Sequence, residues 1–413
     1  MALSLFGLPV PVIILVIVFV LIAIRQVGRF RLRIWQVMLG GACAVLVLGQ
    51  ITPLDACRSV NPDVMLFLFG MFVVGEAMDR SGYLPTLADR LFRLAHTRDQ
   101  FILLVLVGMG LFSALLMNDT LAIIGTPLVI AYACRFDISP KTSLLALCFA
   151  VTIGSVMSPI GNPQNLLIAT YGGLPQPFFS FLTYLGIPTL INLFAAFFLL
   201  KWLNPIEKGE CRFDMPRDLI TDRKLADLCR VSLAIILILI IGRVCTGSAL
   251  IPLTLIALGG SAPILIFSRG RTEVLRGIDW PTLLFFVSMF ILMQSVYLTG
   301  FFQGALDFSA IQSIPLILAA SVTVSQFISN VPFVALFQPL IAHQGMPLEG
   351  VMALAAGSTI AGNLTILGAA SNVIIIQNAE KKGYTLTFWD FFRVGLPLTI
   401  VNCLVYWLFL SLT

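Results

Sequence analysis

The sequence predicts an all-α polytopic membrane protein built from two inverted five-helix repeats, each with a re-entrant hairpin and a broken helix. The first observation behind this fold class is composition. The chain of 413 residues is 59% hydrophobic and only 11% charged, whereas a soluble domain carries about 25% charged residues. The second is a pair of polar islands that interrupt apolar runs at corresponding places in the two halves. Such paired interruptions are the best sequence indication of a transport site.

Ten apolar runs approach the roughly 20 residues that a transmembrane helix needs. They lie at 10–24, 34–51, 64–78, 142–170, 178–200, 231–241, 249–267, 282–298, 351–377 and 391–412. The runs at 142–170 and 351–377 are interrupted. No Lys or Arg precedes the first run, so it indicates a retained helix rather than a cleavable signal peptide.

Two further apolar runs, 101–133 and 314–342, contain the polar islands 117–120 and 329–332. Two full spans and a turn would need more than about 40 residues, and neither run is that long. We therefore predict two re-entrant hairpins, each entering and leaving the membrane on one side. A pair of short tilted helices is the alternative interpretation.

The basic residues predict the orientation of the chain. With ten spans, two hairpins and the N-terminus outside, all of the 25 Lys and Arg except Arg58 and Arg243 fall in cytoplasmic segments. This is the bias that the positive-inside rule describes. We predict a multi-pass protein of the cell (inner) membrane with both termini outside.

The order of elements repeats along the chain. Corresponding spans end in Ser81-Gly82 and Thr299-Gly300, and each is followed by a hairpin, an interrupted helix and a closing span. Five spans per half is an odd number, so the halves have opposite topology, as in secondary transporters. We predict an N-terminal transport repeat at 1–200, a cytoplasmic linker at 201–230 and a C-terminal inverted repeat at 231–413.

Proline and glycine mark the breaks in the two interrupted helices. Pro159 and Pro163 remove N–H donors, and Gly161 relaxes the backbone between them. The second break has no proline and is marked by Gly362 and Gly368. A break exposes N–H groups that suit an anion and carbonyl groups that suit a cation.

Polar side chains accompany the tips and the breaks. Aligning Gly161 with Gly368 sets Asn165 opposite Asn372 and Gln164 opposite Ser371, and the tip residues Asn118 and Asn330 also correspond. The predicted substrate-binding residues are Asn118, Asn162, Gln164, Asn165, Ser329, Asn330, Ser371 and Asn372.

Three residues are predicted to couple an ion to transport: Asp119, Thr120 and Glu76. A carboxylate inside the membrane is costly and is a functional hypothesis by default, which applies above all to Asp119. Capping of the returning helix by Asp119 is the alternative. Glu76 is either half of a helix ion pair with Arg80, four residues on, or a proton relay.

The residue types also exclude some classes of function. There is no Cys-x-x-Cys, and the two histidines are far apart, so we predict no metal site and no cofactor beyond a coupling Na⁺ or H⁺. No nucleophile or acid–base set supports an enzyme. The net charge of +5 does not suggest a nucleic-acid partner. The expected partners are the lipid bilayer and a small-molecule or ion substrate.

No Lys or Arg lies in the hairpins or the breaks. A bound anion would therefore rely on helix N-termini, amides and a co-bound Na⁺. A neutral solute or a cation fits these residues equally well.

The motifs Asn118-Asp119, 159–163, 329–332 and Leu367-Gly368 resemble the ion transporter superfamily. That superfamily contains arsenite permeases, NhaD-type Na⁺/H⁺ antiporters, citrate–metal transporters and divalent anion/Na⁺ symporters. The resemblance covers nearly the whole chain, and the tips look most like the arsenite-permease branch. It implies inverted repeats, a site between hairpin tips and broken helices, elevator-like transport and often a homodimer.

The predicted function is ion-coupled secondary transport of a small inorganic or carboxylate anion, an oxyanion or a metalloid. A Na⁺/H⁺ antiporter is one alternative, and a channel-like pore is an alternative from another class.

Overall fold

The structure, a computed structural model, describes residues 4–5, 8–24, 26–27, 30–31, 33–174, 176–203, 220–246, 251–301, 313–344 and 346–413. The described chain is helical apart from two short antiparallel pairs near its beginning, Ser4–Leu5 with Leu8–Pro9 and Gln26–Val27 with Phe30–Arg31. The helical fold class is confirmed. The linker predicted at 201–230 falls mostly on 204–219, which lie outside the described residues.

The helices of the first half are α1 (Val10–Ile24), α2 (Ile34–Val47), α3 (Pro53–Ser59), α4 (Pro62–Arg80), α5 (Tyr83–Phe92), α6 (Arg98–Leu104), α7 (Gly110–Leu115), α8 (Asn118–Arg135), α9 (Pro140–Ser155), α10 (Pro163–Tyr171), α11 (Pro177–Phe181) and α12 (Ile187–Leu203). A π-helical turn, Val105–Met109, joins α6 to α7, and another, Leu182–Gly186, joins α11 to α12.

The helices of the second half are α13 (Arg223–Thr246), α14 (Leu253–Phe267), α15 (Arg271–Gly277), α16 (Trp280–Tyr297), α17 (Ile314–Ile328), α18 (Asn330–Gln344), α19 (Leu348–Ile360), α20 (Ala370–Glu380) and α21 (Phe388–Leu412). Two 3₁₀ turns, Ala361–Asn363 and Ile366–Gly368, lie between α19 and α20.

Five of the described helical segments are long and apolar enough to cross a membrane: Arg98–Leu115, Pro177–Leu203, Arg223–Thr246, Trp280–Tyr297 and Phe388–Leu412. A sixth results if α3 and α4, which meet at 56°, are counted as one bent span. Shorter apolar helices, such as α2, α9 and α14, account for other predicted spans. The chain is a multi-pass membrane protein.

Both polar islands form the turn between two helical arms. Hairpin 1 consists of the continuous helical arm from α6 to α7, a tip at Leu116 and Met117, and the returning helix α8. Hairpin 2 consists of α17, a tip at Ser329, and the returning helix α18.

The two broken helices form as predicted, but their second halves begin earlier than the sequence suggested. The first break spans 156–162, so Gln164 and Asn165 lie in the first turn of α10. Pro163 suits this first helical position because its missing N–H would have no partner there. The second break spans 361–369, and Ser371 and Asn372 lie in the first turn of α20.

Packing between the halves is reciprocal, as a two-fold arrangement of repeats requires. Helix α2 packs on α16, and α4 packs on α14. The returning arm α8 packs on α20, and its counterpart α18 packs on α10. Corresponding turns also share a backbone conformation, since Gly82 after α4 has φ +72° and Gly300 after α16 has φ +69°. Glycine adopts this left-handed conformation without the penalty that a Cβ brings.

Most of the longer helices sort into two packing groups, and α1 packs on members of both, α2 and α16 in one and α17 in the other. One group contains α2, α4, α13, α14 and α16, which pair with one another. The other contains the hairpins and the broken helices, together with the closing spans α12 and α21. These closing spans pack on each other, and α12 packs on α9 while α21 packs on α19.

Candidate functional site

The first break is held together by two asparagine side chains. The side-chain oxygen Oδ1 of Asn162 accepts a hydrogen bond from the backbone N–H of Asn165 at 2.8 Å and so caps α10. The Asn165 amide nitrogen donates to the carbonyls of Ser155, Val156 and Ser158 at 3.0–3.2 Å. Both asparagines are fully buried. The Asn165 side chain thus binds the last carbonyl of α9, that of Ser155, and two carbonyls of the break, those of Val156 and Ser158.

The second break contains the counterpart of one of these bonds. The Asn372 amide nitrogen donates to the carbonyl of Gly362 at 2.6 Å. Asn165 makes the same bond to Ser155, ten residues before it, and Asn372 likewise lies ten residues after Gly362. The structure thus agrees with the alignment of Asn165 with Asn372. Ala369 precedes α20, so no side chain caps that helix.

Thr359, at the end of α19, joins the second half to the first break. Its hydroxyl lies 3.3 Å from the amide nitrogen of Asn162 and 3.4 Å from that of Gln164. It also lies 3.3 Å from the side-chain oxygen of Asn165. The two broken helices therefore meet through a buried polar cluster rather than through apolar contacts alone.

The tip of hairpin 1 is tethered to the first break by the main chain. The backbone N–H of Asn118 donates to the carbonyl of Gly161 at 3.0 Å. Gly161 permits this approach, because a Cβ there would lie 2.6 Å from the Ser155 oxygen and 3.0 Å from the Ser113 oxygen. The N-terminus of α8 is thereby fixed at the break.

The tip of hairpin 2 is tethered to the second break by a side chain. Gln326, one turn before the tip, donates from Nε2 to the carbonyl of Ala361 at 2.8 Å. Its Oε1 accepts from the Thr365 hydroxyl at 2.8 Å. The following tip residue, Ser329, has φ +70° and ψ 156°.

Four predicted site residues have a buried oxygen with no hydrogen-bond partner among the described residues. These atoms are Asn118 Oδ1, Asn330 Oδ1, Ser371 Oγ and Asn372 Oδ1. A buried polar atom without a partner costs free energy. The orientation of the Asn372 amide is set by its bond to Gly362, so its free atom is an acceptor. Acceptors of this kind suit a cation or a hydrogen-bond donor on a ligand.

A separate cavity of about 80 Å³ lies beside the tip of hairpin 1, with room for several water molecules. Its lining includes four carboxylates: Glu76 and Asp79 of α4, Asp119 of α8, and Asp279 before α16. Within the described residues, no three acidic, His or Cys side chains approach closely enough to hold a metal ion. The clustered negative charge instead favours protons or monovalent cations.

Asp119 is the carboxylate that the tip itself contributes. It lies in the first turn of α8, but no side chain caps that helix, so the capping alternative for Asp119 is wrong. The Asp119 side chain is half-buried and makes no hydrogen bond or ion pair with the residues that the structure describes. Thr120, next to it, contacts α4, since a Cβ on Gly75 would lie 2.9 Å from the Thr120 hydroxyl.

Glu76 forms the predicted helix pair with Arg80, at 3.7 Å. Arg80 makes a closer contact of 2.6 Å with Glu273 of α15. The Glu76 carboxylate also lies against Gly277, where a side chain would collide with it. Asp279 has a structural role as well, because it accepts from the backbone N–H of Thr282 at 3.1 Å and so caps α16.

The structure therefore separates the predicted binding and coupling residues into three sets. Ser329 and Asn330 lie at the tip of hairpin 2, with Ser371 and Asn372 in the first turn of α20. Asn162, Gln164 and Asn165 are buried in the contact between the broken helices, with Asn118 at its edge. Asp119, Thr120 and Glu76 line the acidic cavity. Sequence reasoning missed Thr359, Gln326, Asp79 and Asp279. Gln326 was detectable as the one amide in the otherwise apolar or hydroxylated arm 314–328.

Comparison with known proteins identifies a transporter family and related membrane proteins. The sequence model of the family described as "CitMHS: Citrate transporter" matches residues 16–349. An uncharacterized transporter of Mycobacterium tuberculosis is 32% identical over 420 residues, covering 95% of this chain and 95% of the relative. The P protein of Homo sapiens is 24% identical over 474 residues, covering 90% of this chain but 56% of the P protein.

Two solved structures share the fold. The YdaH transporter of Alcanivorax borkumensis, described as having an unusual topology, superposes with a TM-score of 0.60 at 14% identity and covers 97% of both chains. MtrF of Neisseria gonorrhoeae, described as illuminating a class of antimetabolite efflux pumps, has a TM-score of 0.60 at 12% identity. That match covers 98% of this chain and 95% of MtrF.

Proposed function

The chain belongs to the citrate transporter family and is a membrane transporter, and we propose that it is an ion-coupled secondary transporter of a small anion. The cargo class comprises carboxylates, inorganic oxyanions and metalloid anions. The coupling ion is Na⁺ or H⁺.

The arrangement of the tips and breaks is the observation that carries this proposal. Helices α8 and α10 begin at the first tip and break, and α18 and α20 begin at the second pair. Each N-terminus directs a positive helix dipole toward an anion. The unpartnered oxygens of Asn118, Asn330 and Asn372 offer ligands to a cation. Coupled transport of an anion and a cation requires two neighbouring sites, one that favours negative charge and one that favours positive charge.

The packing groups support an elevator-like movement. We assign the closing spans α12 and α21 to the moving unit, because they pack on the broken helices. The scaffold would then consist of α2, α4, α13, α14 and α16.

The basic residues support an orientation with both termini outside and the linker in the cytoplasm of an inner or plasma membrane. In that orientation the acidic cavity opens toward the cytoplasm, since α4 ends there at Arg80. We further propose a homodimer, as the resemblance implies. Cross-linking of the protein in native membranes tests this assembly.

A second candidate function is Na⁺/H⁺ exchange without an anion. The four carboxylates of the acidic cavity favour it, because they provide competing sites for protons and Na⁺. In this mechanism Asp119 binds H⁺ and Na⁺ in turn, and the helix N-termini bind no anion.

Solid-supported-membrane currents from proteoliposomes distinguish these functions. Jumps of citrate, sulfate or arsenite at constant Na⁺ and pH should evoke saturable currents from an anion transporter. Currents from a Na⁺ jump alone, with no response to any anion, would favour the antiporter. Non-saturating conductance would favour a channel-like pore. A thermal-shift screen of the same anions gives independent support, because a bound ligand stabilises the native state.

A further inference from the structure

The two hairpins are fastened to their broken helices by different means. Hairpin 1 uses the backbone bond from Asn118 to Gly161, which no side-chain rotation can release. Among the described residues, hairpin 2 has no backbone bond from its tip to the second break. Gln326 supplies the connection instead, through its bonds to Ala361 and Thr365.

The Gln326 clamp holds two points in the first part of the second break. Ala361 lies at the end of the first half-helix, and Thr365 lies between the two 3₁₀ turns. A Cβ on Gly368 would lie 3.0 Å from the Gln326 oxygen, so the break fits closely around this amide. A change of the Gln326 rotamer would release both contacts together.

The tip beyond the clamp is strained. Ser329 has φ +70° and ψ 156°, a backbone region that only glycine adopts readily. Such a conformation persists only where its surroundings hold it. Within the described residues, the other non-glycine residue of positive φ is Asp137, at φ +50°. Asp137 is exposed in the turn after α8, away from the tips and the breaks.

We propose that hairpin 2 is the gate of the candidate site and that Gln326 is the positioning residue that keeps it closed. With the clamp made, the strained Ser329 keeps Asn330 buried at the start of α18, the helix that packs on α19 and α10. With the clamp released, the tip relaxes and opens. Hairpin 1, tied by its main chain, stays in place. The gating role rests on the proposed transport function, but the clamp is a physical property that is measurable without any cargo.

Hydrogen–deuterium exchange of the purified full-length protein tests the proposal, because local opening sets the exchange rate of protected amides. Peptides covering 322–333 report on tip 2, and peptides covering 112–124 report on tip 1 as an internal reference. Gln326→Leu should speed exchange at tip 2 by about tenfold, the effect of losing one or two hydrogen bonds. Exchange at tip 1 should not change. A general loosening of the fold would accelerate both tips and would overturn the proposal.

Ser329→Gly provides the complementary variant and keeps the test valid should Gln326→Leu fail to fold. Removing the strain stabilises the closed tip, so exchange at tip 2 should slow several-fold. The double variant should return toward the wild-type rate. Asp137→Gly, the matched control at the other strained position, should leave both tips unchanged. Unaltered or faster tip-2 exchange in Ser329→Gly contradicts a strained gate. Because exchange needs no transport, a failure of the proposed function would leave these results standing.

Discussion

Thr359 and Thr152 occupy equivalent positions in the two broken helices, yet only the Thr359 hydroxyl is hydrogen-bonded. Thr359 contacts the side chains of Asn162, Gln164 and Asn165 in the opposite half. Thr152 lies against Gly362, and its buried hydroxyl has no partner among the described residues. Ala369 stands where the first break has Asn162, which removes the counterpart of one of the three contacts that Thr359 makes. The backbones of the two broken helices are therefore related by the two-fold arrangement, whereas the hydrogen bonds of their side chains differ.

This asymmetry predicts opposite effects of one isosteric substitution. Thr359→Val should destabilise the protein by about 1–3 kcal/mol, since it leaves buried amides without a partner. Thr152→Val removes an unpartnered hydroxyl and should be neutral or slightly stabilising. The midpoint of thermal unfolding of the purified variants compares them directly. Equal losses of stability would show that the two hydroxyls have equivalent surroundings.

Replacing Asn165 should be among the most damaging single changes in the chain. Asn165→Leu removes the donor that the carbonyls of Ser155, Val156 and Ser158 share, which should cost about 2–3 kcal/mol inside a membrane protein. Asn372→Leu loses one such bond and should cost about 1–2 kcal/mol. Thermal unfolding measures both, and Gln377→Leu, at an exposed amide of α20, is the control. A smaller loss for Asn165 than for Asn372 would contradict the proposed capping of α9.

A methyl group at Gly161 should displace the tip of hairpin 1. Gly161→Ala places a carbon 2.6 Å from the Ser155 oxygen, and such overpacking typically costs about 1–3 kcal/mol. We expect a lower unfolding temperature and a lower rate of transport, because the backbone tether of Asn118 passes through this residue. Gly40→Ala is the control, since open space surrounds that position. Full transport by Gly161→Ala would show that this tether is dispensable.

The sequence was sufficient to predict the helical fold, the hairpins and the breaks, because apolar runs, prolines and isolated polar groups are visible without partners. It was not sufficient to predict which polar atoms remain free. Asn162 and Asn165 are predicted from the sequence to bind substrate, and the hydrogen bonds by which their amides complete the break and cap α10 are not visible in the sequence. A single Thr or Gln in a helix, such as Thr359 or Gln326, gives no sign of a partner about 35 or more residues away in the chain.

The acidic cavity could be predicted only in part. Asp119 and Glu76 stood out as carboxylates in apolar runs. Asp79 and Asp279 lie near helix ends, where acidic residues are common. The four carboxylates come together only because α4, α8 and the turn before α16 fold around one cavity. Charge clustering of this kind depends on tertiary packing, which no local pattern encodes.

The role of Asp119 in ion coupling is the central claim, and uptake by proteoliposomes tests it most directly. The measurement compares accumulation of the transported anion under an imposed Na⁺ or pH gradient with anion exchange at equal ion concentrations on both sides. Asp119→Asn keeps the shape of the side chain but removes its titratable charge. The exposed Asp227→Asn is the matched control and should behave as wild type.

We expect Asp119→Asn to retain anion exchange, but its gradient-driven accumulation should fall at least tenfold, because the amide neither takes up a proton nor carries the charge that attracts Na⁺. A tenfold loss corresponds to about 1.4 kcal/mol of coupling free energy. Gradient-driven accumulation by Asp119→Asn equal to that of the wild type would contradict the account.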